Sequence, residues 1–256
     1  HVSIANSIRS RKRWRATYLC QAHLECTVSF TTATIERISR ISPDCKQYTI
    51  ALTEGEFTGE AGQHTVLRTE AGTKPYSVLA VDAERITLMI RAYGTDGVAD
   101  YMAAQSVGET VEVDPALRGN LTLERTDTPA VFIGTGTGIT PVIGLLHEYV
   151  TSGGPQAVFM FGEKTQEQLL YKSLLEQYEL VHPVETRFSL SREDWHGHTG
   201  YIQEQLPDVS DTVGTDAEYY VCGVPAAVVA TKEKLGELGV PSDRVHTEGW
   251  EDAQVA

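Results

Sequence analysis

The sequence has no apolar run approaching the roughly 18–20 residues that cross a bilayer as a helix, so no membrane span is expected. Cysteine is scarce. Cys20, Cys26, Cys45 and Cys222 match neither zinc-site spacing nor the four grouped thiolates of an iron–sulfur cluster. Neither metal centre is expected, and free thiols fit a reducing compartment, the cytoplasm. Positive charge is also short, with a net charge of −14 and only seven Lys against fourteen Arg. Five of the basic residues (Arg9, Arg11, Lys12, Arg13, Arg15) fall within residues 1–25, beside one acid, Glu25. The remainder holds 16 basic and 34 acidic residues. Such a body repels nucleic acid and anionic membranes, so neither is expected as a partner. An acidic, Lys-poor surface also suits a high-salt cytoplasm, though ordinary acidic cytosolic proteins share it. No apolar segment follows the basic arm, which therefore reads as a loose extension and not a secretory signal. Internal repeats and low-complexity tracts are lacking too.

What is present divides by rhythm. From about Cys26 to Leu123 short β-branched or alternating stretches recur: Thr34–Ile41, Gln47–Thr53, His64–Thr69, Tyr76–Val81, Arg85–Ala92 and Thr110–Val113. One helix is expected among them, Asp96–Ala104. Many short strands in about a hundred residues imply a small antiparallel barrel. After the polar link Glu124–Pro129, strand candidates (Ala130–Ile133, Ala157–Phe161, Glu185–Leu190, Tyr219–Cys222) alternate with helical ones. The helices are Pro141–Tyr149, Gln166–Tyr178, Tyr201–Leu206 and Ala226–Leu238. That alternation implies a doubly wound parallel sheet. The expected division is 1–25, an extension; 26–125, the barrel; and 126–256, the α/β domain.

One turn carries chemistry by itself. Gly134-Thr135-Gly136-Thr137-Gly138-Ile139-Thr140-Pro141 follows the apolar strand Pro129–Ile133 and opens a helix. Alternating glycines clear Cβ atoms from the turn, so that backbone N–H groups and the positive helix end can face a diphosphate. Thr140 is expected to cap the helix and Pro141 to take its first position, where a missing N–H costs nothing.

Further motifs flank it: Gly62-Gln63, Lys74-Pro75-Tyr76-Ser77, Tyr93–Met102, Phe161–Thr165, Ser191-Arg192-Glu193, Cys222-Gly223-Val224-Pro225 and Glu248-Gly249-Trp250. Taken in this order, they resemble the ferredoxin–NADP⁺ reductase family over nearly everything after residue 30. The resemblance implies an N-terminal flavin-binding barrel and a C-terminal NAD(P)-binding α/β domain. Lys74 would then meet the flavin phosphate, Tyr76 would pack on the isoalloxazine and the Ser77 hydroxyl would bond its N5. Gly97, Val98 and Ala99 would receive the flavin diphosphate, with Arg91 as a further cation. Gly134 to Gly138 with Pro141 would seat the coenzyme diphosphate. Lys164 would lie near the adenosine, and Ser191 and Arg192 would grip a 2′-phosphate. Cys222, Gly223 and Pro225 would border the nicotinamide with Glu248, while Trp250 would cover the flavin. The bland readings stand beside these: a buried strand Tyr, a solvated Arg, an inert strand-end Cys, a core-closing Trp. His196 and His198 lack a third ligand and read as a surface loop, not a metal site.

The chain departs from the family pattern in four places. Lys74 replaces Arg and loses bidentate geometry. Ala99 stands where Ser or Thr is usual, Asp114-Pro115 lacks a Gly, and no further basic residues follow Arg192. The resemblance implies an FAD-dependent NAD(P)H oxidoreductase, with FMN a less favoured flavin and NAD left open beside NADP. Its acceptor would be a separate protein such as ferredoxin or flavodoxin. The alternatives are the reductase component of an oxygenase or other redox complex, and a non-catalytic nucleotide-sensing subunit.

Overall fold

The structure is a computed structural model that describes residues 28–248 of the 256-residue chain. The expectations for residues 1–25 and for Trp250 lie outside the described residues.

The first half is a closed antiparallel barrel in the order β1-β2-β5-β4-β3-β6. Its strands are β1 Thr31–Arg40, β2 Cys45–Leu52, β3 His64–Thr69, β4 Gly72–Val81, β5 Arg85–Arg91 and β6 Thr110–Val113. β6 pairs with both β1 and β3, which leaves no open edge for intermolecular pairing. Alternation along the strands sends Ile35, Tyr48, Ile50, Leu67, Ile86 and Leu88 inward, all fully buried. The short helix α1 (Val98–Ala104) contributes Val98, Ala99 and Met102 to the same core. The Tyr48 hydroxyl, fully buried in that core, donates to the Met102 carbonyl at 2.8 Å and fixes the end of α1.

The second half is a six-stranded parallel sheet in the order β10-β9-β8-β7-β11-β12. Here β7 is Ala130–Thr135, β8 Ala157–Glu163, β9 Val184–Leu190, β10 His198–Thr199, β11 Glu218–Cys222 and β12 Val245–His246. Helices α2 (Ile139–Thr151) and α3 (Lys172–Val181) cover one face. Helices α4 (Leu206–Val213) and α5 (Pro225–Glu237) cover the other. The winding reverses between β7 and β11, which opens a crevice at their carboxyl ends.

Several element readings are corrected. Gln166–Tyr178 is not one helix: a 3-10 turn at Gln166–Gln168 is followed by a break, and α3 starts only after Tyr171. Tyr171 sits at φ 56° because its hydroxyl reaches back to the barrel, donating to Gln47 Oε1 at 2.7 Å. Tyr201–Leu206 is a 3-10 turn (Ile202–Gln205) that runs into α4. The edge strands β10 and β12, two residues each, carry too little pattern to be read in advance.

The halves meet along a largely apolar seam. Leu79 of β4 and Cys45 and Met89 of the barrel join the core formed around α2. Gly144 of α2 lies so close to β4 that a Cβ there would overlap the Leu79 carbonyl oxygen. Among the described residues no helix is long and apolar enough to cross a membrane.

Candidate functional site

A cavity of about 1060 Å³ lies between the two halves, walled by barrel residues on one side and by the carboxyl ends of the sheet on the other. On the barrel wall, β4 carries Lys74, Tyr76 and Ser77 into its lining. The Tyr76 hydroxyl is buried without a hydrogen-bond partner, and burial pushes its pKa well above the usual tyrosine range. Lys74 Nζ stands 5.9 Å from the Tyr76 ring centroid. Ser77 is directly opposite His64 in the β3–β4 ladder, so the two side chains share the cavity face.

The loop after β5 resolves a question of charge. Asp100 turns away from the cavity and accepts from the backbone N–H groups of Tyr93 (3.0 Å), Gly94 (2.8 Å) and Thr95 (2.8 Å). These hydrogen bonds hold its carboxyl below the ordinary range. The same bonds consume those donors. Ala99 lines the cavity, whereas Val98 points into the barrel core and Gly97 is the residue that precedes α1. Arg91, expected near a flavin phosphate, is buried and faces Glu163 at 2.8 Å and Asp44 at 3.4 Å.

On the sheet wall, Thr135, Gly136, Thr137 and Gly138 form the end of β7 and a 3-10 turn that feeds straight into α2. Gly136 has φ +57° and open space where a Cβ would stand. Gly138 serves another purpose, since a Cβ there would overlap the backbone of Cys222 and Gly223. The Val224 N–H donates to Thr135 Oγ1 at 2.9 Å, tying the turns after β7 and β11 together. Thr140 does not cap α2, and Pro141 is the third residue of the helix and not its first. The turn continues directly into the helix, so Gly138 takes the cap position and the Thr140 hydroxyl donates to the Thr137 carbonyl at 2.8 Å. Gly134, Pro141 and Pro225 are outside the lining; they hold the turns that carry it.

Cys222 and Gly223 line the crevice, half-buried. Farther along, the Ser191 and Arg192 N–H groups donate to the Glu163 and Lys164 carbonyls at 2.9 and 3.0 Å. This pairing brings Lys164, Ser191 and Arg192 together at one end of the cavity. Glu193 is turned aside, its carboxylate accepting from the Gln166 backbone and side chain. Neither Lys164 nor Arg192 has an ion-pair partner among the described residues, so two cations there face open space. Glu248 reaches the lining from beyond β12, its carboxylate 7% exposed and 3.9 Å from His64 Nδ1.

The sequence reading missed His64, Tyr93, Glu163, Tyr201 and Gln203, all in the lining. Tyr93 and Tyr201 are 60% and 62% exposed. Large exposed aromatics at a cavity mouth are stacking surfaces, a property sequence periodicity does not report. Gly200–Gln203 was legible only as a helix start.

Residues 132–233 match the oxidoreductase NAD-binding domain family. The chain is 26% identical over 238 residues to ferredoxin–NADP reductase B of Sorangium cellulosum, covering 86% of this chain and 97% of that protein. It is 28% identical over 267 residues to the ferredoxin–NAD(P)⁺ reductase component of the naphthalene 1,2-dioxygenase/salicylate 5-hydroxylase systems of Ralstonia sp, covering 92% and 79%. Among solved structures, a ferredoxin NADP⁺ reductase from Neisseria gonorrhoeae with bound FAD and NADP superposes with a TM-score of 0.72 at 21% identity, covering 82% of this chain and 92% of that one. The ferredoxin reductase in carbazole 1,9a-dioxygenase superposes at 0.76 and 17% identity, covering 86% and 69%.

The chain resembles ferredoxin–NADP⁺ reductase-like flavoproteins in sequence and shares their fold.

The closed barrel and the parallel sheet of this reductase are the two halves of that fold, and its cavity lies where they meet. It is a flavin-dependent NAD(P)H oxidoreductase.

Proposed function

We propose that this reductase holds FAD on the barrel wall, takes NADPH on the sheet wall and passes electrons to a separate ferredoxin or flavodoxin in the cytoplasm. The observation that carries the reading is the placing of Tyr76–Ser77 and Gly136–Cys222 on opposite walls of one cavity. The residues fit the two groups. The open backbone at Gly136 leaves room for a diphosphate, Tyr76 lines the opposite wall, and Lys164 and Arg192 supply cations for phosphate. Bound there, the two cofactors would supply hydride transfer and onward single-electron release.

The chain's own work is to bind, orient and exclude water. Tyr76 shields one face of the flavin, and Ser77 offers its hydroxyl to N5. Cys222 limits the approach of the nicotinamide without reacting. Glu248, beside His64, keeps a carboxylate near the same edge. Lys74 neutralises the flavin phosphate as a point charge, and the exposed Tyr201 ring, which also lines the cavity, offers a face to the adenine. On this reading residues 26–125 form the FAD domain and residues 126–256 the NADP domain.

The absorption spectrum of the purified protein tests the proposal. A yellow protein that is bleached anaerobically by NADPH faster than by NADH is the expected result. A colourless protein that takes up no FAD refutes it and favours a nucleotide-sensing role. A second reading, the reductase component of an oxygenase, draws support from the Ralstonia relative. Failure to reduce a soluble ferredoxin, with turnover only in the presence of an oxygenase, would select it.

A further inference from the structure

We propose that Arg91 and Glu163 form a strut that sets the spacing of the two cavity walls, making them positioning residues for transfer between the two cofactors. This rests on the functional reading above. Arg91 is the last residue of β5, in the barrel, and Glu163 the last of β8, in the sheet. Their side chains are 8% and 4% exposed, with Arg91 Nη2 2.8 Å from Glu163 Oε1. Both ends are anchored. Arg91 Nε lies 3.4 Å from Asp44 Oδ2 on the barrel side. Glu163 accepts the Lys164 N–H on its carboxylate at 3.2 Å and the Ser191 N–H on its carbonyl at 2.9 Å. The nearby Cys45 thiol, pushed up to about 12 chiefly by burial, stays neutral and does not compete for the guanidinium.

The geometry explains why such a strut is needed. Much of the seam is apolar contact, which is non-directional. The Tyr171–Gln47 hydrogen bond and the close approach of Gly144 to β4 fix its register elsewhere, and Arg91–Glu163 fixes it at the cavity. The pair meets as an ion pair without hydrogen-bond geometry, yet separating it would leave a buried charge uncompensated, and setting register is the best-attested use of such a pair. The pair lies in the lining itself, where a shift of the walls translates directly into donor–acceptor distance. It also reassigns Arg91. A guanidinium already neutralised by two carboxylates has little charge to offer a flavin phosphate, which leaves that contact to Lys74.

The test uses the full chain with Glu163→Gln, Glu163→Asp, Arg91→Lys and Arg91→Met. Three quantities are read: the limiting rate of flavin bleaching by NADPH, the dissociation constants of FAD and NADP⁺, and hydrogen exchange of the cofactor-free protein at the ends of β5 and β8. Glu163→Gln should slow bleaching by about 10- to 100-fold, the scale of a 1 Å misplacement. Both dissociation constants should stay within about threefold, well under one decade of affinity. Exchange at the two strand ends should rise in the cofactor-free protein. Glu163→Asp, which shortens the strut while keeping its charge, should act in the same direction, and Arg91→Lys should retain more rate than Arg91→Met. Unchanged bleaching and exchange in both Glu163 variants would overturn the strut. So would an Arg91→Met variant that loses FAD affinity while the Glu163 variants match wild type, since Arg91 would then be a phosphate ligand. A wild-type chain that takes up no flavin overturns the functional reading instead, and exchange in the cofactor-free protein still reads the strut.

Discussion

Replacing Gly144 with Ala should destabilise this reductase, against the sign that helix propensity alone gives. In the interior of a helix, Ala is favoured over Gly by about 1 kcal/mol. At position 144 the new Cβ would overlap the Leu79 carbonyl oxygen, part of the β4 backbone, and stand 3.2 Å from the Ala61 Cβ. Neither neighbour is the free end of a flexible side chain, so α2 must move off the barrel. Overpacking of this kind costs about 1–3 kcal/mol. Against the propensity gain, the net loss reaches about 2 kcal/mol, or a fall in Tm of up to about 8 °C for a chain of this size. Gly236 is the internal control. It lies in α5 with nothing within 4 Å of its Cβ position, so Gly236→Ala should gain up to about 1 kcal/mol. Thermal and urea unfolding of the two variants read the comparison. If Gly144→Ala stabilises the protein as much as Gly236→Ala does, the halves are not in the close contact described, and the argument for a shared cavity weakens with it.

Three further outcomes are expected. Ser77→Ala should slow flavin bleaching by NADPH about tenfold, the worth of one hydrogen bond, while FAD stays bound; an unaltered rate removes Ser77 from the site. Arg192→Ala should narrow the preference for NADPH over NADH by about tenfold, toward the lower end for a charge-assisted contact because the group is exposed. Steady-state kcat/KM for both coenzymes measures this, and an unchanged ratio puts the 2′-phosphate elsewhere. His64 is held below the usual histidine pKa, first by burial and then by Arg118, with Asp114 opposing. A depressed histidine resists protonation in the fold, so its contribution is present above about pH 6.5 and fades as pH falls through the folded value. Urea midpoints between pH 7.5 and pH 5, pH values chosen at about one unit or more either side of that reference, should fall less in His64→Gln than in wild type.

Much of the fold was legible because strand and helix periods are local. Barrel and sheet each announced themselves through alternation and through strand–helix spacing. The failures also have local causes. Tyr171 breaks an otherwise acceptable helical run because its hydroxyl finds Gln47, far away in sequence. Thr140 has the chemistry of a cap, yet the preceding turn already supplies helical geometry. The lining of the cavity was readable where a motif is contiguous, as at Lys74–Ser77 and Thr135–Gly138. It was not readable at His64, Tyr93, Glu163 and Tyr201, which join the lining only through the way the halves meet.

The sequence by itself therefore determined two halves and a glycine-rich turn between a strand and a helix, because these follow from periodicity and from contiguous residues. The flavin and nicotinamide roles came from the family resemblance. Only the tertiary structure decided how the two seats face each other and where charge is spent. Asp100 is absorbed by its own loop, and Arg91 by Glu163 and Asp44, leaving Lys164 and Arg192 facing the cavity. Which charges cancel depends on distances of a few ångströms between residues tens of positions apart, and no local pattern encodes those.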